Sequence, residues 1–365
     1  MAQETELTER EKEILRLLSG GLSDQQIAAQ LFLSSNTVRW YNRQIYSKLD
    51  VSNRTQAIAQ ARTLGLLNTQ PDQPPARMVS RRLAEQRVHF THSFDGTRIA
   101  YAVSGSGKPL VKTGTFMSHL EYDWESPIWR PLLEELNRDH TLIRYDERGN
   151  GLSDWDVEDV SFESWVRDLE AVVDAAGLDR FPLFANSQGG TVAVAYTVRN
   201  PGRVSRLILY GAYARGWLNR DLTQQQIEEE KLIIDLMRVG WGRENPAFRQ
   251  VFATQLRPDA TTEELRAFDE QMRISTSAEN AARLESEMHR TDVRALAPLV
   301  TVPTLVIHPR EDAAVPFEEG RLLASLIPNA QFVALESNNH LLTEHEPAWA
   351  KFVSALRNFL NRDDE

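Results

Sequence analysis

The 365-residue sequence predicts two domains of different class: an all-α module of four helices over residues 1–67, then an α/β domain with a mostly parallel sheet over residues 86–365. Three observations carry this. Up to residue 67 the apolar residues recur at helical spacing between capping residues. The stretch NTQPDQPPAR, residues 68–77, is polar and proline-rich with no hydrophobic period, so residues 68–85 read as a partly extended linker. Beyond it, short apolar runs alternate with amphipathic stretches, the pattern of strand–helix units.

Within the module, Thr8 followed by Glu11 is a capping-box pattern that opens a first helix ending near Ser19-Gly20-Gly21. Ser23 caps a second, Asp24 to Leu31. Ser34 or Ser35 caps a third, running to about Leu49, and a fourth begins after Ser52-Asn53 and ends at Gly65. Ile14, Leu17, Leu18, Ile27, Ala28, Leu31, Val38, Ile45, Leu49 and Ile58 would form its core. The third helix turns Val38, Ile45 and Leu49 inward and is expected to present Arg39, Trp40, Asn42 and Arg43 outward. Arginine's fork suits the O6 and N7 edges of guanine. Ser35, Thr37, Lys48 and Arg54 are placed for phosphates at the helix ends. The whole chain carries a net charge of −11, yet residues 35–54 hold four basic residues against Asp50 alone. Such an acidic body with a basic strip implies salt-sensitive DNA binding that gains from dimerisation.

These residues resemble the LuxR-type helix-turn-helix family over the module's whole length. The LTEREKE opening, the second helix with Ile27-Ala28, and the pattern from Thr37-Val38-Arg39 to Ile45, Lys48-Leu49 and Val51 carry the likeness. The resemblance implies that Arg39, Trp40 and Arg43 face bases of double-stranded DNA and that the fourth helix forms a homodimer surface. Tyr41 stands where many relatives carry histidine. A small helical interaction module with solvated charges is the competing reading.

In the larger domain RVHFTH and TRIAYAVS flank a Phe94-Asp95-Gly96-Thr97 turn as a hairpin. The later strands are PLVKT, HTLIRYD, FPLFA, VSRLILYG, TLVIH and QFVALE, with amphipathic helices between them. Residues 216–292 break the rhythm and read as an inserted helical cap. FPLFANSQGGTVAVAYTV is a buried strand, a tight turn and a helix, the context a nucleophile elbow needs: Ser187 sits in the turn, with small Ala185 and Gly189 two residues either side. A serine nucleophile needs a base and the base an orienting acid. Asp312 follows the strand TLVIH, and His340 follows the last strand.

The order Ser187, Asp312, His340 at strand ends resembles the α/β-hydrolase family, over nearly all of residues 86–361. YDERGNGLSD, residues 145–154, resembles its characteristic loop, with Arg148, Gly149 and Gly151 shaping the turn behind the nucleophile and Ser153 structural. The resemblance implies oxyanion donors at the backbone N–H of Thr115 and of Gln188. It departs at Thr113-Gly114-Thr115, where relatives carry His-Gly. His119, Trp124, Trp217 and Trp241 are candidate pocket residues.

Other chemistry is excluded or poorly supported. There is no cysteine, which removes disulfides, thiolate metal sites and cysteine nucleophiles. His340 and His345 lack clustered partners for a metal, SGSGKP lacks the spacing and helix of a phosphate loop, and no cofactor is implied. No apolar run approaches the roughly 18–20 residues that span a bilayer, and the amino terminus lacks a secretory signal pattern. A cytoplasmic location is expected. The combined expectation is a transcriptional regulator whose hydrolase-like domain senses an uncharged and mostly apolar ester- or lactone-like molecule, with holding the molecule and cleaving it, slowly or otherwise, both open. The alternatives are an active carboxylesterase with an accessory DNA-binding module, and a pseudo-hydrolase used for protein contacts.

Overall fold

The computed structural model describes residues 9–19, 35–49, 54–64, 86–243 and 245–362, with residues 7, 22, 27, 51 and 66. The chain divides into two compact units, Met1–Arg82 and Leu83–Glu365. The expected linker at residues 68–85, Thr8, and all of the expected second helix except Ile27 lie outside the described residues.

In the first unit, helices α1 (Glu9–Ser19), α2 (Ser35–Lys48) and α3 (Arg54–Thr63) enclose Ile14, Leu15, Leu18, Ile27, Val38, Ile45, Leu49, Ala57 and Ala61. Helix α2 is the expected reading helix. Asn42 departs from expectation: it is buried. Its place four residues after Val38 and three before Ile45 puts it on the core stripe. Lys48 and Arg54 have partners inside the module. Lys48 Nζ lies 2.7 Å from the buried Glu11 carboxylate, and Arg54 donates to the carbonyl of Leu18 at 2.7 Å, at the carboxyl end of α1 where the helix dipole favours a cation. The side chains of Ser35, Thr37, Arg39, Trp40 and Arg43 lie outside the described residues.

The second unit is built on an eight-stranded sheet in the order β1-β2-β4-β3-β5-β6-β7-β8. The strands are β1 (Arg87–His92), β2 (Arg98–Gly105), β3 (Lys108–Lys112), β4 (His140–Tyr145), β5 (Phe181–Asn186), β6 (Val204–Tyr210), β7 (Thr304–Pro309) and β8 (Gln331–Leu335). The β1–β2 hairpin and the β2–β4 pair are antiparallel; all other pairs are parallel. Parallel strands need covered faces, and β6 is buried at every residue. One apolar cluster joins the sheet to α5 (Phe162–Ala175), α6 (Gly189–Arg199) and α11 (Phe317–Leu326) through Trp165, Leu169, Tyr196 and Leu323. The other joins it to α4 (Arg130–Asn137) and α12 (Pro347–Leu360) through Leu133, Leu136, Phe352 and Phe359. The cap consists of α7 (Gln224–Gly240), α8 (Ala247–Leu256), α9 (Thr262–Ser275) and α10 (Ala278–Arg290). Thr223 with Gln226 and Thr261 with Glu264 form capping boxes at the starts of α7 and α9.

The 145–154 loop is fixed by buried charge. Arg148 is fully buried and grips Asp168 with two bonds of 2.8 and 2.7 Å, while its third nitrogen reaches Asp95 at 2.7 Å. Ser153 has the expected structural role: its hydroxyl donates to the Asp146 carbonyl at 2.7 Å and accepts from the Ala100 amide at 2.9 Å. Gly151, at φ +52°, leaves no room for a side chain, because an added Cβ would sit 2.1 Å from an Asp146 carboxylate oxygen.

Asp168→Ala should destabilise the hydrolase unit by about 3–5 kcal/mol in denaturant unfolding, because it strands a buried guanidinium. A loss below about 1 kcal/mol, the value of an exposed ion pair, would show that Asp95 alone satisfies Arg148.

Candidate active site

Strand β5 runs into Ser187 and α6 follows at once. Ser187 has φ +51°, a left-handed backbone that costs a non-glycine residue about 1–2 kcal/mol. Its amide donates to the Tyr210 carbonyl at 2.9 Å, anchoring the turn to β6. Ala185 is buried, and Gly189 faces the loop after β3: a Cβ there would lie 2.3 Å from Thr113 Oγ1 and 2.8 Å from the Gly114 carbonyl. Small residues at these positions bring the 113–117 loop against the elbow.

Asp312 lies in the turn after β7. One carboxylate oxygen accepts from the amides of Ala314 (3.0 Å) and Val315 (2.9 Å). The other lies 2.7 Å from His340 Nδ1. Burial pushes the Asp312 carboxyl up, but the neighbouring His340 and these bonds outweigh it and hold it below the ordinary carboxylate value. An ionised Asp312 only accepts, so His340 carries its proton on Nδ1 and leaves Nε2 free to take one. The amide of His340 donates to Leu256 of the cap at 2.9 Å, and its carbonyl accepts from the Tyr210 hydroxyl at 2.8 Å.

Two further groups were missed by sequence reasoning. His308, four residues before Asp312 and fully buried, donates from Nε2 to the Val315 carbonyl at 2.9 Å and lies 3.5 Å from Asp312 Oδ2. It closes the acid-bearing turn. Glu147 is the second. Asn186 donates to Thr115 Oγ1 (3.3 Å), Thr115 Oγ1 to Gln188 Oε1 (3.4 Å), and Gln188 Nε2 to Glu147 (2.8 Å). This directional chain ties the 113–117 loop to the elbow. Burial, then the charge of Asp168, pushes the Glu147 carboxyl up to about 8. The only signal for it in the sequence was an acid inside an otherwise glycine-rich loop.

A cavity of about 380 Å³ has Ser187, His340, Thr115, Gln188, Trp217 and Trp241 in its wall. Two candidates are corrected: His119 and Trp124 are not part of that wall. Trp124 ends the 3-10 turn Tyr122–Trp124, and His119 lies just before it. His119 Nδ1 accepts from the Tyr122 amide at 3.3 Å, and Trp124 donates to Gln86 at 2.6 Å beneath the Arg144 guanidinium. The wall is not apolar throughout, because Arg220, Glu230, Glu285 and His289 line the same cavity. Glu230, Glu285 and His289 are the one group of metal-ligating types found together among the described residues, with ligand atoms within 4.8 Å of one another. His345 is exposed, away from any such group.

The raised Glu147 pKa makes a stability prediction. Between the ordinary glutamate value of 4.5 and about 8 the folded state holds a proton that the unfolded state has lost, so this group's contribution to stability falls as pH rises through that window. Glu147→Gln cannot ionise. Its melting temperature relative to wild type should therefore be higher at about pH 9 than at about pH 5; a difference independent of pH would place the Glu147 titration elsewhere.

The luxR family of bacterial regulatory proteins matches residues 5–61, and the α/β-hydrolase fold family matches residues 117–347. A 2-hydroxymuconate semialdehyde hydrolase of Pseudomonas putida is 30% identical over 55% of this chain and 69% of its own length. A pyrrolizixenacetamide deacetylase of Xenorhabdus hominickii is 24% identical over 73% of this chain and 96% of its own. The solved esterase of Exiguobacterium antarcticum shares the fold with a TM-score of 0.64 at 23% identity, covering 76% of this chain and 100% of the esterase. No helix among the described residues is long and apolar enough to cross a membrane. The chain thus belongs to the α/β-hydrolase fold family and carries an amino-terminal DNA-binding domain of the luxR family.

Proposed function

We propose that this protein is a cytoplasmic, homodimeric transcriptional regulator whose hydrolase domain senses a small ester- or lactone-like molecule and cleaves it. The observation that carries the reading is the 2.7 Å bond from His340 to Asp312 behind a cavity that Ser187 and His340 share. In this reading Ser187 Oγ attacks the ligand carbonyl while His340 Nε2 takes its proton, and Asp312 holds the imidazole. The amides of Thr115 and Gln188 receive the negative charge that develops on the carbonyl oxygen. Collapse of the tetrahedral species breaks the bond to the leaving oxygen, which receives the proton from His340. Water then frees the acyl group from Ser187 by the same route. The varied substrates in the relatives' names leave the acyl and leaving groups to the cavity of this chain.

On the DNA side, Arg39, Trp40 and Arg43 of α2 are assigned to base edges and Ser35 and Thr37 to phosphates. Lys48 and Arg54 reach phosphate only from the outer side of the contacts they already make within the module. Pairing through α3 would present two reading helices to a two-fold symmetric site.

Full-length protein should cleave p-nitrophenyl esters, and Ser187→Ala should abolish both cleavage and fluorophosphonate labelling. Asp312→Asn, which favours the wrong histidine tautomer, should lower kcat by about four orders of magnitude with little change in fold. Complete resistance of wild type to the fluorophosphonate would instead favour a pseudo-hydrolase. Arg43→Ala should cost about 1–3 kcal/mol of DNA affinity and relax preference at one base position. Equal loss on every sequence would assign Arg43 to phosphate.

A further inference from the structure

The cavity wall is chemically divided. Phe116, Trp241 and Phe252 stack in sequence, with ring centroids 5.8 and 5.7 Å apart, and belong to the apolar core. Elsewhere on the same wall, His289 of α10 is held by two carboxylates: Nδ1 lies 3.1 Å from Glu230 of α7, and Nε2 lies 3.1 Å from Glu285 one turn earlier on α10. Burial works against a charged His289, but its bond to Glu285 and both carboxylate charges outweigh it and raise its affinity for a proton. A protonated His289 balances one of the two carboxylates, and the charge of Arg220 also acts on Glu230. Arg220, the other cation on this wall, lies 3.6 Å from Glu319, a carboxylate that also pairs with Arg215 at 3.1 Å.

An independent observation marks this part of the wall as a ligand site. Tyr213 is 6% exposed and lines the cavity, and its hydroxyl has no hydrogen-bond partner among the described residues. The hydroxyl is open to the cavity and can bond to a molecule that enters it. Trp217 adds a ring face 6.0 Å from His289. Carboxylates, a phenol oxygen and an indole face together are the chemistry that binds an organic ammonium.

We propose that Glu230, Glu285 and Tyr213 bind the protonated amine of an amphipathic carbonyl compound, whose apolar portion lies along Phe116, Trp241 and Phe252. His289 takes one oxygen of each glutamate and positions the pair, and the second oxygen of each accepts from the ammonium. That the compound's carbonyl lies at Ser187 rests on the reading of Ser187 as nucleophile; the amine site does not.

The test uses full-length Ser187→Ala protein and three probes of equal length: hexylammonium, hexanol and hexanoate. Hexylammonium should raise the melting temperature and bind at least about tenfold more tightly than the other two. Glu230→Gln and Glu285→Gln keep the bond to His289, and they should each remove most of that preference while leaving the ligand-free melting temperature near the parent value. Tyr213→Phe should weaken hexylammonium binding with the fold intact. Equal binding of the three probes, tighter binding of hexanoate, or stabilisation by zinc or manganese but not by the amine would each overturn the proposal, the second assigning the site to Arg220. With wild type, p-nitrophenyl aminohexanoate should exceed p-nitrophenyl heptanoate in kcat/KM by about tenfold or more. Equal cleavage of both esters sinks the amine site and leaves the nucleophile standing. Amine binding without cleavage of either ester does the reverse.

Discussion

The left-handed backbone at Ser187 is the constraint on which the hydrolase unit depends. A serine held at φ +51° between a buried strand and a helix presents its hydroxyl above the sheet, but only if its neighbours are small enough for the loop after β3 to approach. Gly189 meets that need, because a side chain there would collide with Thr113 and with the Gly114 carbonyl. The strain of about 1–2 kcal/mol is offset by the bond from Ser187 to β6 and by a strand buried on both faces.

Around that elbow the protein has buried more ionisable groups than stability requires. Asp312 is satisfied by two amides and a histidine, and His308 closes its turn from behind. Glu147 receives one bond, from Gln188, and its second oxygen is buried without a hydrogen-bond partner among the described residues. A carboxyl kept in such a place is costly. Its retention is understandable as the terminus of the Asn186–Thr115–Gln188 chain, which fixes which end of the Gln188 amide faces the 113–117 loop.

The strands were legible because each is an apolar run bounded by turn residues, and all eight lie where those runs fall. The placement of Ser187, Asp312 and His340 at strand ends was legible for a related reason: strand ends and small neighbours are local signals. The remainder depended on contacts between distant segments. His308 gave no signal until the 312–316 turn folded back upon it. Glu147, Glu230, Glu285 and His289 carried no local signal of their surroundings, because nothing in the sequence near them says that the 145–154 loop buries its acid or that α7 and α10 turn those side chains toward a cavity. Asn42 could have been placed correctly from its spacing to Val38 and Ile45; its polarity misled. His119 and Trp124 were assigned to the pocket by proximity in sequence to Thr115, but neither is part of its wall.

In the proposed reading an event at Ser187 changes the state of α2, and a ligand can shift that balance only by its differential affinity for two states of the protein. The direct measurement is the affinity of the full-length protein for a duplex selected from a random pool, at one fixed salt concentration, before and after Ser187 is modified by a fluorophosphonate. The sensing account predicts that modification changes this affinity several-fold and that Ser187→Ala, exposed to the same reagent, shows no change. Unaltered affinity in a fully modified protein that turns over esters rapidly would contradict it and assign the DNA-binding module an accessory role.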